Sequence, residues 1–411
     1  MIKDISPQEF TMDKLLREGF SWPLVFTNGA PVGMRIPEGL TPDVVAKAAG
    51  LKSRVEVINC ASQEGIQMPL GQFVEYFTGG EKRSLPRGRI SAKIYNLIDL
   101  EVSHTRLTDL IDAPLLVRQL DWATNLWPRD LLPPIADLPS EQDHTFSYPK
   151  TQKYVLMSKA GSFTDFHIDF GGSSVWYHLL SGKKIFFVIP PSEKNRNVYA
   201  QWVRSGQHLV FLADEVDECE RIEISPGDTL MLPSGWIHAV YTLDDSVVVG
   251  GNFLNSLHGE MQIDISILEQ TLKVKKSTRY PFFSDLLWFA VRRYAAVLKG
   301  RSPNMSQYEI QSISAVVNYL KAYAELSPSV SPVAAKRIYS PLTLLKEVES
   351  HVKRLQECAT NSGLIFAMNL PLYDRHVESP EIGHPTTAPQ LLASPARMAN
   401  ADHVIPMAFV M

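Results

Sequence analysis

The chain has 411 residues, of which 45% are hydrophobic and 20% charged, as is usual for a globular protein with a sizeable core. Its formal net charge of −4 argues against a surface basic enough to bind nucleic acid through a general field. No apolar run reaches the roughly 18 residues that span a membrane, and the first residues lack a signal-peptide block, so we expect an intracellular protein. The three cysteines, Cys60, Cys219 and Cys358, are too scattered for a disulfide framework or a zinc finger.

The first third of the chain mixes helical and strand patterns. Residues 70–77 predict a helix, because a glycine pair follows them as a stop signal. The apolar residues in 109–126 predict two short helices, because Pro114 interrupts the run. We therefore predict a mixed α/β region over residues 1–133, followed by a loop or lid over 134–150, which is rich in Pro, Asp and Ser.

Beyond this loop the pattern changes to short strands. Turn signals separate them, among them Ser181-Gly182 and Asp244-Asp245. Many short strands at this spacing predict an antiparallel sandwich or jelly roll, which we place at residues 134–260. The predicted strands are Tyr154–Ser158, Ser174–Leu180, Lys184–Ile189, Arg221–Ile224, Thr229–Leu232, Ala239–Thr242 and Val247–Gly250.

The chain is helical after about residue 260. Apolar residues recur at helical spacing from Phe283 to Leu298, and Ser306 to Glu309 forms a capping box that opens a helix through about Ala324. A further helix is predicted from Leu342 to Cys358. These elements predict a helical bundle over residues 261–360. The remainder, residues 361–411, shows no periodicity and predicts a disordered tail.

A candidate metal site comes from one short segment and a distant histidine. In a strand, residues two apart face the same way, so His167 and Asp169 point together. His238 follows a turn at Gly235 and completes the set, which we expect it to do from the opposite sheet. Two imidazoles and one carboxylate form the facial triad of non-haem Fe(II) oxygenases, which leaves positions open for chemistry.

Several segments together resemble one protein family. The stretch TDFHIDFGGSSVWYHLLSGKKI, which begins at Thr164, is similar to the iron-binding core of JmjC-domain histone lysine demethylases. The similarity is greatest to the branch with the yeast-type JmjC histone demethylation proteins, the F-box–CXXC and the PHD–JmjC demethylases. Supporting segments begin at Tyr95 (YNLI), Trp122 (WATNLWP), Gly235 (GWIHAV) and Gly250 (GGNFL).

The resemblance implies an α+β fold and a set of site residues. The fold would be a double-stranded β-helix, the cupin-like jelly roll of JmjC cores, with N-terminal mixed α/β elements and a C-terminal helical bundle. His167, Asp169 and His238 would bind Fe(II). The co-substrate 2-oxoglutarate would contact Thr164, Lys184, Tyr177 and Asn96, and O₂ would be the second co-substrate. Tyr154, Gly171, Gly172 and Asn252 would line the substrate side. The two glycines would admit a methylated peptide because they lack a Cβ.

The same resemblance implies an activity. The enzyme would hydroxylate the N-methyl group of mono- or dimethylated lysine on histone H3, with lysine 36 favoured, and release formaldehyde and succinate in the nucleus. Alternatives are demethylation of lysine 9 or lysine 27, hydroxylation of another protein, and a non-catalytic chromatin scaffold. The methylated H3 tail would be a partner. Because three scattered cysteines build no PHD or CXXC zinc module, we also expect a targeting protein, and no sequence-specific DNA binding.

The remaining histidines are interpreted as structural or exposed. His178 is expected to face away from Tyr177 within the core. Surface or tail positions are predicted for His144, His208, His258, His351, His376, His384 and His403.

Overall fold

The computed structural model of the protein covers nearly all of the predicted core and bundle. All of the described residues belong to one compact unit, Met1–Tyr373. Within them, no helix combines the length and the apolar character that crossing a membrane requires. Most of the loop predicted at 134–150 and nearly all of the tail predicted at 361–411 lie outside the described residues. The described residues are 3–4, 6–27, 32–79, 94–103, 105–132, 148–206, 210–299, 305–326 and 332–362.

Strands and helices are labelled in chain order within these residues. The strands are β1 (Lys3–Asp4), β2 (Leu24–Phe26), β3 (Arg54–Asn59), β4 (Glu64–Pro69), β5 (Tyr95–Glu101), β6 (Tyr154–Ser158), β7 (Phe163–His167), β8 (Ser174–Ile189), β9 (Glu220–Ile224), β10 (Thr229–Leu232) and β11 (Ile237–Phe253). The helices are α1 (Met12–Glu18), α2 (Pro42–Ala49), α3 (Leu70–Phe77), α4 (Leu115–Leu120), α5 (Trp122–Leu126), α6 (Glu193–Ser205), α7 (Gly259–Thr271), α8 (Phe283–Leu298), α9 (Gln307–Leu326), α10 (Pro332–Ala335) and α11 (Pro341–Ser362).

Two long strands organise the sheet. β8 and β11 pair antiparallel from one end to the other, from Ile237 opposite Ile189 to Phe253 opposite Ser174. One half of this pair is flanked by β10 and β6, and the other half by β9 and β7. The pair therefore belongs to two sheets that face each other, which is the jelly-roll arrangement. Beyond β6, the larger sheet continues through β5, β3 and β4.

The continuity of these strands corrects one prediction. Ser181-Gly182 and Asp244-Asp245 do not separate strands, because the ladder continues past both with shifts in register between Thr242 and Val248. Gly182 has a left-handed backbone (φ 84°), and a Cβ there would lie 2.4 Å from the carbonyl oxygen of Asp245. Glycine thus lets the two strands bend together and stay paired, so a turn signal marks a bend inside the strand.

Side chains that alternate along the bent strands fill separate cores. Tyr177 and Phe186 belong to the apolar cluster between the two sheets, where their rings meet edge to face at 5.1 Å. Trp176 points to the other face of β8, into the cluster shared with the N-terminal helices. The inner face of the jelly roll is therefore continuous from one sheet to the other, and it surrounds the space in which the predicted site residues lie.

The N-terminal region covers the outer face of the larger sheet. α3 matches the helix predicted over residues 70–77. Two short helices are also present, as predicted, but the break between them falls at Asp121 rather than at Pro114. Pro114 precedes α4, where a missing N–H costs nothing, whereas the Asp121 carboxylate caps α5 by accepting from the backbone N–H groups of Ala123 and Thr124.

The C-terminal helices form a separate apolar bundle, as predicted. The capping box is confirmed, since Ser306 N–H donates to the Glu309 carboxylate at 3.0 Å and Glu309 N–H donates to Ser306 Oγ at 3.2 Å. Helix α7 lies between this bundle and the jelly roll, because it packs both on α9 and on the turn at Phe170–Gly172. The α+β architecture is confirmed, whereas the domain boundaries at 133, 260 and 360 stay predictions.

Candidate metal centre and its cavity

The two candidate histidine ligands lie side by side on neighbouring strands. His167 ends β7, His238 is the second residue of β11, and the two are direct partners in the antiparallel register. Their ring centroids are 4.2 Å apart. The prediction that His238 approaches from the opposite sheet is wrong, because β7 and β11 are adjacent in one sheet. Both imidazoles therefore belong to one rigid ladder.

Asp169 joins the histidines from just beyond the end of β7. Its backbone is extended (φ −59°, ψ 142°), so it continues the direction of the strand although its ladder ends at His167. Asp169 Oδ2 lies 3.6 Å from His238 Nε2. One donor atom from each of the three residues lies within 4.8 Å of the other two. The predicted cluster is thus formed, although Asp169 lies outside the strand.

The hydrogen bonds of the imidazoles determine which ring nitrogens face the cluster. His167 Nδ1 is 2.9 Å from the carbonyl oxygen of Asp165, and His238 Nδ1 is 3.1 Å from that of Trp236. A carbonyl only accepts, so Nδ1 carries a proton in both rings, and Nε2 is the ring nitrogen left to face the cluster. Burial, followed by the neighbouring His167, lowers the pKa of His238 to about 4, which keeps this ring neutral.

The carboxylate of Asp169 is also held in place. Asn252 Nδ2 donates to Asp169 Oδ1 and to Ser173 Oγ, each at 3.0 Å. One carboxylate oxygen is thereby occupied, and Oδ2 is the atom turned towards His238. Two imidazoles and one oriented carboxylate fit Fe(II), since this donor set suits non-haem iron and leaves part of the coordination sphere open.

A cavity of about 720 Å³ opens from these ligands. Its walls come from both sheets, from α6 and from α7 with the segment after it. Apolar residues, among them Phe186, Leu232 and Val240, line much of it. This is the combination expected of a small-molecule site, an apolar cleft with a few convergent polar groups.

Lys184 lies at the inner part of the cavity as a buried cation. Its side chain is 2% exposed, and Nζ donates to Ser158 Oγ at 2.8 Å and to Thr242 Oγ1 at 3.2 Å. Among the described residues, no carboxylate forms an ion pair with it. Burial therefore lowers its pKa to about 7. A buried ammonium with two hydroxyls is suited to receive a ligand carboxylate.

The polar residues predicted around the co-substrate lie near this lysine. Thr164 lines the cavity and accepts from Asn96 Nδ2 at 3.1 Å. Asn96 Oδ1 is buried and has no hydrogen-bond partner among the described residues, which normally carries a cost. Tyr177 is buried beside Lys184, whose Nζ is 6.0 Å from the centre of its ring, and burial raises the pKa of its phenol. These groups fit a dicarboxylate better than an apolar ligand.

The residues predicted on the substrate side divide into two groups. Tyr154 and Asn252 line the cavity, and the Tyr154 hydroxyl donates to the Lys150 carbonyl at 3.0 Å. Gly171 and Gly172 lie behind the cavity wall in left-handed conformations, φ 59° and 62°. A Cβ on them would lie 2.8 Å from Tyr280 Cβ and 3.0 Å from Ile265 Cβ. Packing within the chain therefore requires these glycines, and their role towards a peptide stays a prediction.

Sequence patterns did not identify several residues at the site. Ser158 and Thr242 lie within predicted strands, but only the pairing of those strands brings their hydroxyls to Lys184. Glu269 on α7 lines the cavity and accepts from the Gly171 backbone N–H at 2.7 Å. No local motif distinguishes it from other helical glutamates, so the sequence carries no signal for it.

The other histidines show one wrong prediction. His178 is partly buried with Nδ1 2.8 Å from Thr229 Oγ1, in line with its structural interpretation. His258 was assigned to the surface, but it is partly buried and contacts the carbonyl oxygen of Phe20 through Nε2 at 2.5 Å. Burial lowers its pKa to about 4. His351 is half-buried on α11. The other five histidines assigned to the surface or tail lie outside the described residues.

Comparison with known proteins agrees with this geometry. Residues 41–257, more than half of the chain, match the model of the cupin-like domain. The chain belongs to the cupin-like JmjC family. The predicted family and fold are thereby confirmed, and the ligand cluster lies inside the matched segment.

Named relatives of this JmjC chain are demethylases. Lysine-specific demethylase 2A of Xenopus tropicalis is 40% identical over 313 residues, which cover 75% of this chain and 26% of that protein. Lysine-specific demethylase 2B of Mus musculus is 40% identical over 307 residues, 74% of this chain and 23% of that protein. JmjC domain-containing histone demethylation protein 1 of Yarrowia lipolytica is 39% identical over 344 residues, 82% of this chain and 64% of that protein. The chain thus spans about a quarter of the length of the first two.

Proposed function

We propose that this JmjC chain is an Fe(II)- and 2-oxoglutarate-dependent oxygenase that demethylates mono- and dimethylated lysine on histone H3, with lysine 36 favoured. The observation that carries the proposal is one cavity with two features. At one place His167, Asp169 and His238 converge, and at another the buried Lys184 has hydroxyl partners and, within the described part of the chain, no acidic one. The names of the relatives, lysine-specific demethylase and histone demethylation protein, support the same activity.

In this proposal the metal is held by His167 Nε2, His238 Nε2 and Asp169 Oδ2. Bound iron would supply the oxidising chemistry, with O₂ and the keto acid as co-substrates. The chain itself orients the ligands: two backbone carbonyls hold the imidazole Nδ1 protons, and Asn252 holds the second carboxylate oxygen. The ligand set is therefore arranged before any metal arrives, which reduces the cost of binding.

The co-substrate would occupy the inner cavity. Lys184 Nζ, with the hydroxyls of Ser158, Thr242 and Thr164 nearby, would receive the distal carboxylate of 2-oxoglutarate. Asn96 is a further polar neighbour through its contact with Thr164. The apolar walls exclude water from this end, which strengthens the ion pair once it forms.

In this proposal the substrate would reach the metal past Tyr154, which lines the cavity. Asp99 and Glu101 line the cavity together with Lys150. A methylated lysine keeps its positive charge, so these two carboxyl groups would attract it. Removal of one methyl group as formaldehyde would consume one 2-oxoglutarate and yield succinate. The proposal includes action in the nucleus on the H3 tail and recruitment by a targeting partner.

The deciding experiment is a panel of methylated H3 peptides. The chain, loaded with Fe(II) and given 2-oxoglutarate, should remove 14 mass units from peptides mono- or dimethylated at lysine 36, with little action on lysine 9 or lysine 27. His167→Ala should abolish this loss. His351→Ala is the matched control and should retain it, because His351 lies on α11 and contacts the Glu347 backbone carbonyl of the same helix.

Other outcomes would redirect the assignment. Removal of 14 units from lysine 9 or lysine 27 alone would change the substrate and keep the chemistry. A gain of 16 units on another protein, without loss from any H3 peptide, would make the chain a protein hydroxylase. No succinate from 2-oxoglutarate with any substrate, despite metal binding, would favour a non-catalytic chromatin scaffold.

A further inference from the structure

The backbone that follows Asp169 is an unusual support for a metal ligand. Immediately after Asp169 the chain makes a single 3₁₀ turn over Phe170–Gly172, in which Gly172 N–H donates to the Asp169 carbonyl at 2.9 Å. Gly171 and Gly172 both have left-handed backbones. Such a turn has few hydrogen bonds of its own, so the direction of Asp169 depends on groups that hold the turn from outside.

Two of these outside groups come from the jelly roll. Asn252 Nδ2 donates to Asp169 and to Ser173, at the two ends of the turn. The Ser234 hydroxyl donates to the Gly172 carbonyl at 2.5 Å. They leave the N–H of Gly171, a buried residue, without a partner from the sheets. A buried N–H without an acceptor is unfavourable, so a further acceptor is required.

Glu269 supplies that acceptor from outside the jelly roll. Its Oε1 accepts from Gly171 N–H at 2.7 Å, a short bond for a backbone donor, and the residue is 9% exposed. α7 meets the turn closely, because a Cβ on Gly172 would lie 3.1 Å from Gln262 Cα. Glu269 therefore reaches the turn from a packed helix rather than from a mobile loop.

The same glutamate is tied to the outer wall of the cavity. Its backbone carbonyl accepts from Val274 N–H at 2.9 Å, and the Val274 carbonyl accepts from Arg279 Nε and Nη2 at 2.9 and 2.6 Å. Val274 and Arg279 line the cavity. Glu269 thus connects the 3₁₀ turn after Asp169 with Val274, which is part of the cavity wall. Its carboxyl accepts through Oε1 whether ionised or protonated.

We propose that Glu269 is a positioning residue, which acts through the backbone of Gly171 to hold Asp169 in its ligand geometry and so sets the metal affinity of the site. The inference rests on the proposed metal site and goes beyond it, because it assigns a role to a residue that contacts no metal ligand directly. Loss of the hydrogen bond would let the 3₁₀ turn relax, and Asp169 would turn away from the two histidines.

The test is a titration of the metal-free chain with Co(II), followed by the visible absorption of the bound ion. Glu269→Gln keeps an acceptor oxygen at the same position, whereas Glu269→Met keeps the length and removes the acceptor. We expect the Gln variant to bind Co(II) within about threefold of the wild type, and the Met variant about 10- to 100-fold more weakly with an altered spectrum, as for other groups that orient metal ligands.

The matched control is Glu309→Met. Glu309 is also a buried helical glutamate (2% exposed) that accepts from a backbone N–H, but its partner is Ser306, away from the site. This variant should lower the melting temperature and leave the Co(II) affinity unchanged. Co(II) affinity in Glu269→Met within threefold of the wild type would overturn the inference. A Glu269→Gln variant that binds Co(II) as weakly as Glu269→Met would also overturn it, because the loss of the negative charge, rather than of the acceptor, would then explain the weaker binding.

The outcomes also separate this inference from the proposed function. If the wild-type chain takes up no Co(II), both the metal site and the role of Glu269 are refuted. If all variants follow the expected order but no peptide is demethylated, the positioning role stands and the proposed function fails.

Discussion

Lys184 is a residue whose burial lowers the stability of the folded chain in the absence of a ligand. A buried ammonium without a carboxylate partner is unfavourable, and two hydroxyls offset only part of the cost. The cost is acceptable where a ligand completes the pair. The same logic applies to Asn96 Oδ1, which is buried with no hydrogen-bond partner in the part of the chain that the structure describes. Buried polar groups that lack protein partners therefore indicate where the ligand belongs.

The lysine leads to a pH-dependent prediction. Its pKa is about 7 in the folded chain and 10.5 ordinarily, so between these values the unfolded chain binds a proton that the folded chain does not. The free energy of unfolding should therefore rise with pH across this window. Lys184→Met, without ligand, should be more stable than the wild type at and below pH 7, and this advantage should disappear towards pH 10.

Denaturation with urea at several pH values measures this effect. Lys183→Met is the matched control, because Lys183 is exposed and pairs with Glu223, and its stability difference should not decline over this window. Lys184→Met should also lose stabilisation by 2-oxoglutarate in the presence of Mn(II). A Lys184→Met variant less stable than the wild type at pH 7 would contradict the account of an uncompensated buried charge.

At the scale of elements, the bend in β8 and β11 decides the shape of the site. Because the two strands stay paired through the bend, His238 and Thr242 are carried by one strand, with one contributing to the metal cluster and the other to the Lys184 hydroxyls. A true turn at Gly182 would have made two independent hairpins. The relative position of the His238 cluster and the Lys184 hydroxyls is thus a property of one continuous ladder.

Gly182 is predicted to be essential for this bend. In Gly182→Ala the Cβ would meet the backbone of Asp245 and Ser246 at 2.4 and 2.7 Å, and backbone atoms cannot move aside cheaply. The left-handed conformation alone costs about 1–2 kcal/mol for a residue with a Cβ, and the clash adds to it, so we expect a loss of more than about 2 kcal/mol.

Gly206→Ala provides the comparison. Gly206 is also left-handed (φ 98°), but nothing lies within 4 Å of its Cβ position, so this variant should lose only the conformational cost. Both losses are measured by chemical denaturation. Equal losses in the two variants would show that the bend tolerates a Cβ and that Gly182 is not required by its neighbours.

For the whole molecule, the metal cluster connects regions that are distant in the chain. His167 and His238 come from one sheet, Asn252 from the far end of β11, and Glu269 from a helix packed outside the jelly roll. Occupation of the site should therefore stabilise the core as a unit, because the metal binds the folded chain and not the unfolded one.

This linkage gives a measurable shift in the melting temperature. Mn(II), a redox-stable substitute, should stabilise the folded chain by about 2.7 kcal/mol at a concentration 100 times its Kd. A chelator should reverse the shift, and Asp169→Ala should abolish it. Asp264→Ala, which alters an exposed carboxylate on α7, should retain the full shift. A shift of equal size in Asp169→Ala would place the metal elsewhere.

Residue types and spacing were sufficient to predict the α+β architecture and the cluster of His167, Asp169 and His238 that the fold brings together, whereas Lys184 was predicted from the family resemblance. The first two predictions need no knowledge of packing. They depend on local signals, which are a His and an Asp two residues apart, a later histidine and many short strands. Helices with clear start or stop signals were also predictable, as for α3 and for α9, which begins with a capping box.

Only the tertiary structure decided how these pieces meet. Sequence alone placed His238 on the opposite sheet and read two bends as turns, because a glycine signals a change of direction but not whether the ladder continues through it. It assigned His258 to the surface and carried no signal for Glu269, since burial depends on contacts between segments far apart in the chain. The sequence by itself determined which donor groups are available. The pairing of β11 with β7 and β8, and the packing of α7 against the turn after β7, determined how those groups are arranged.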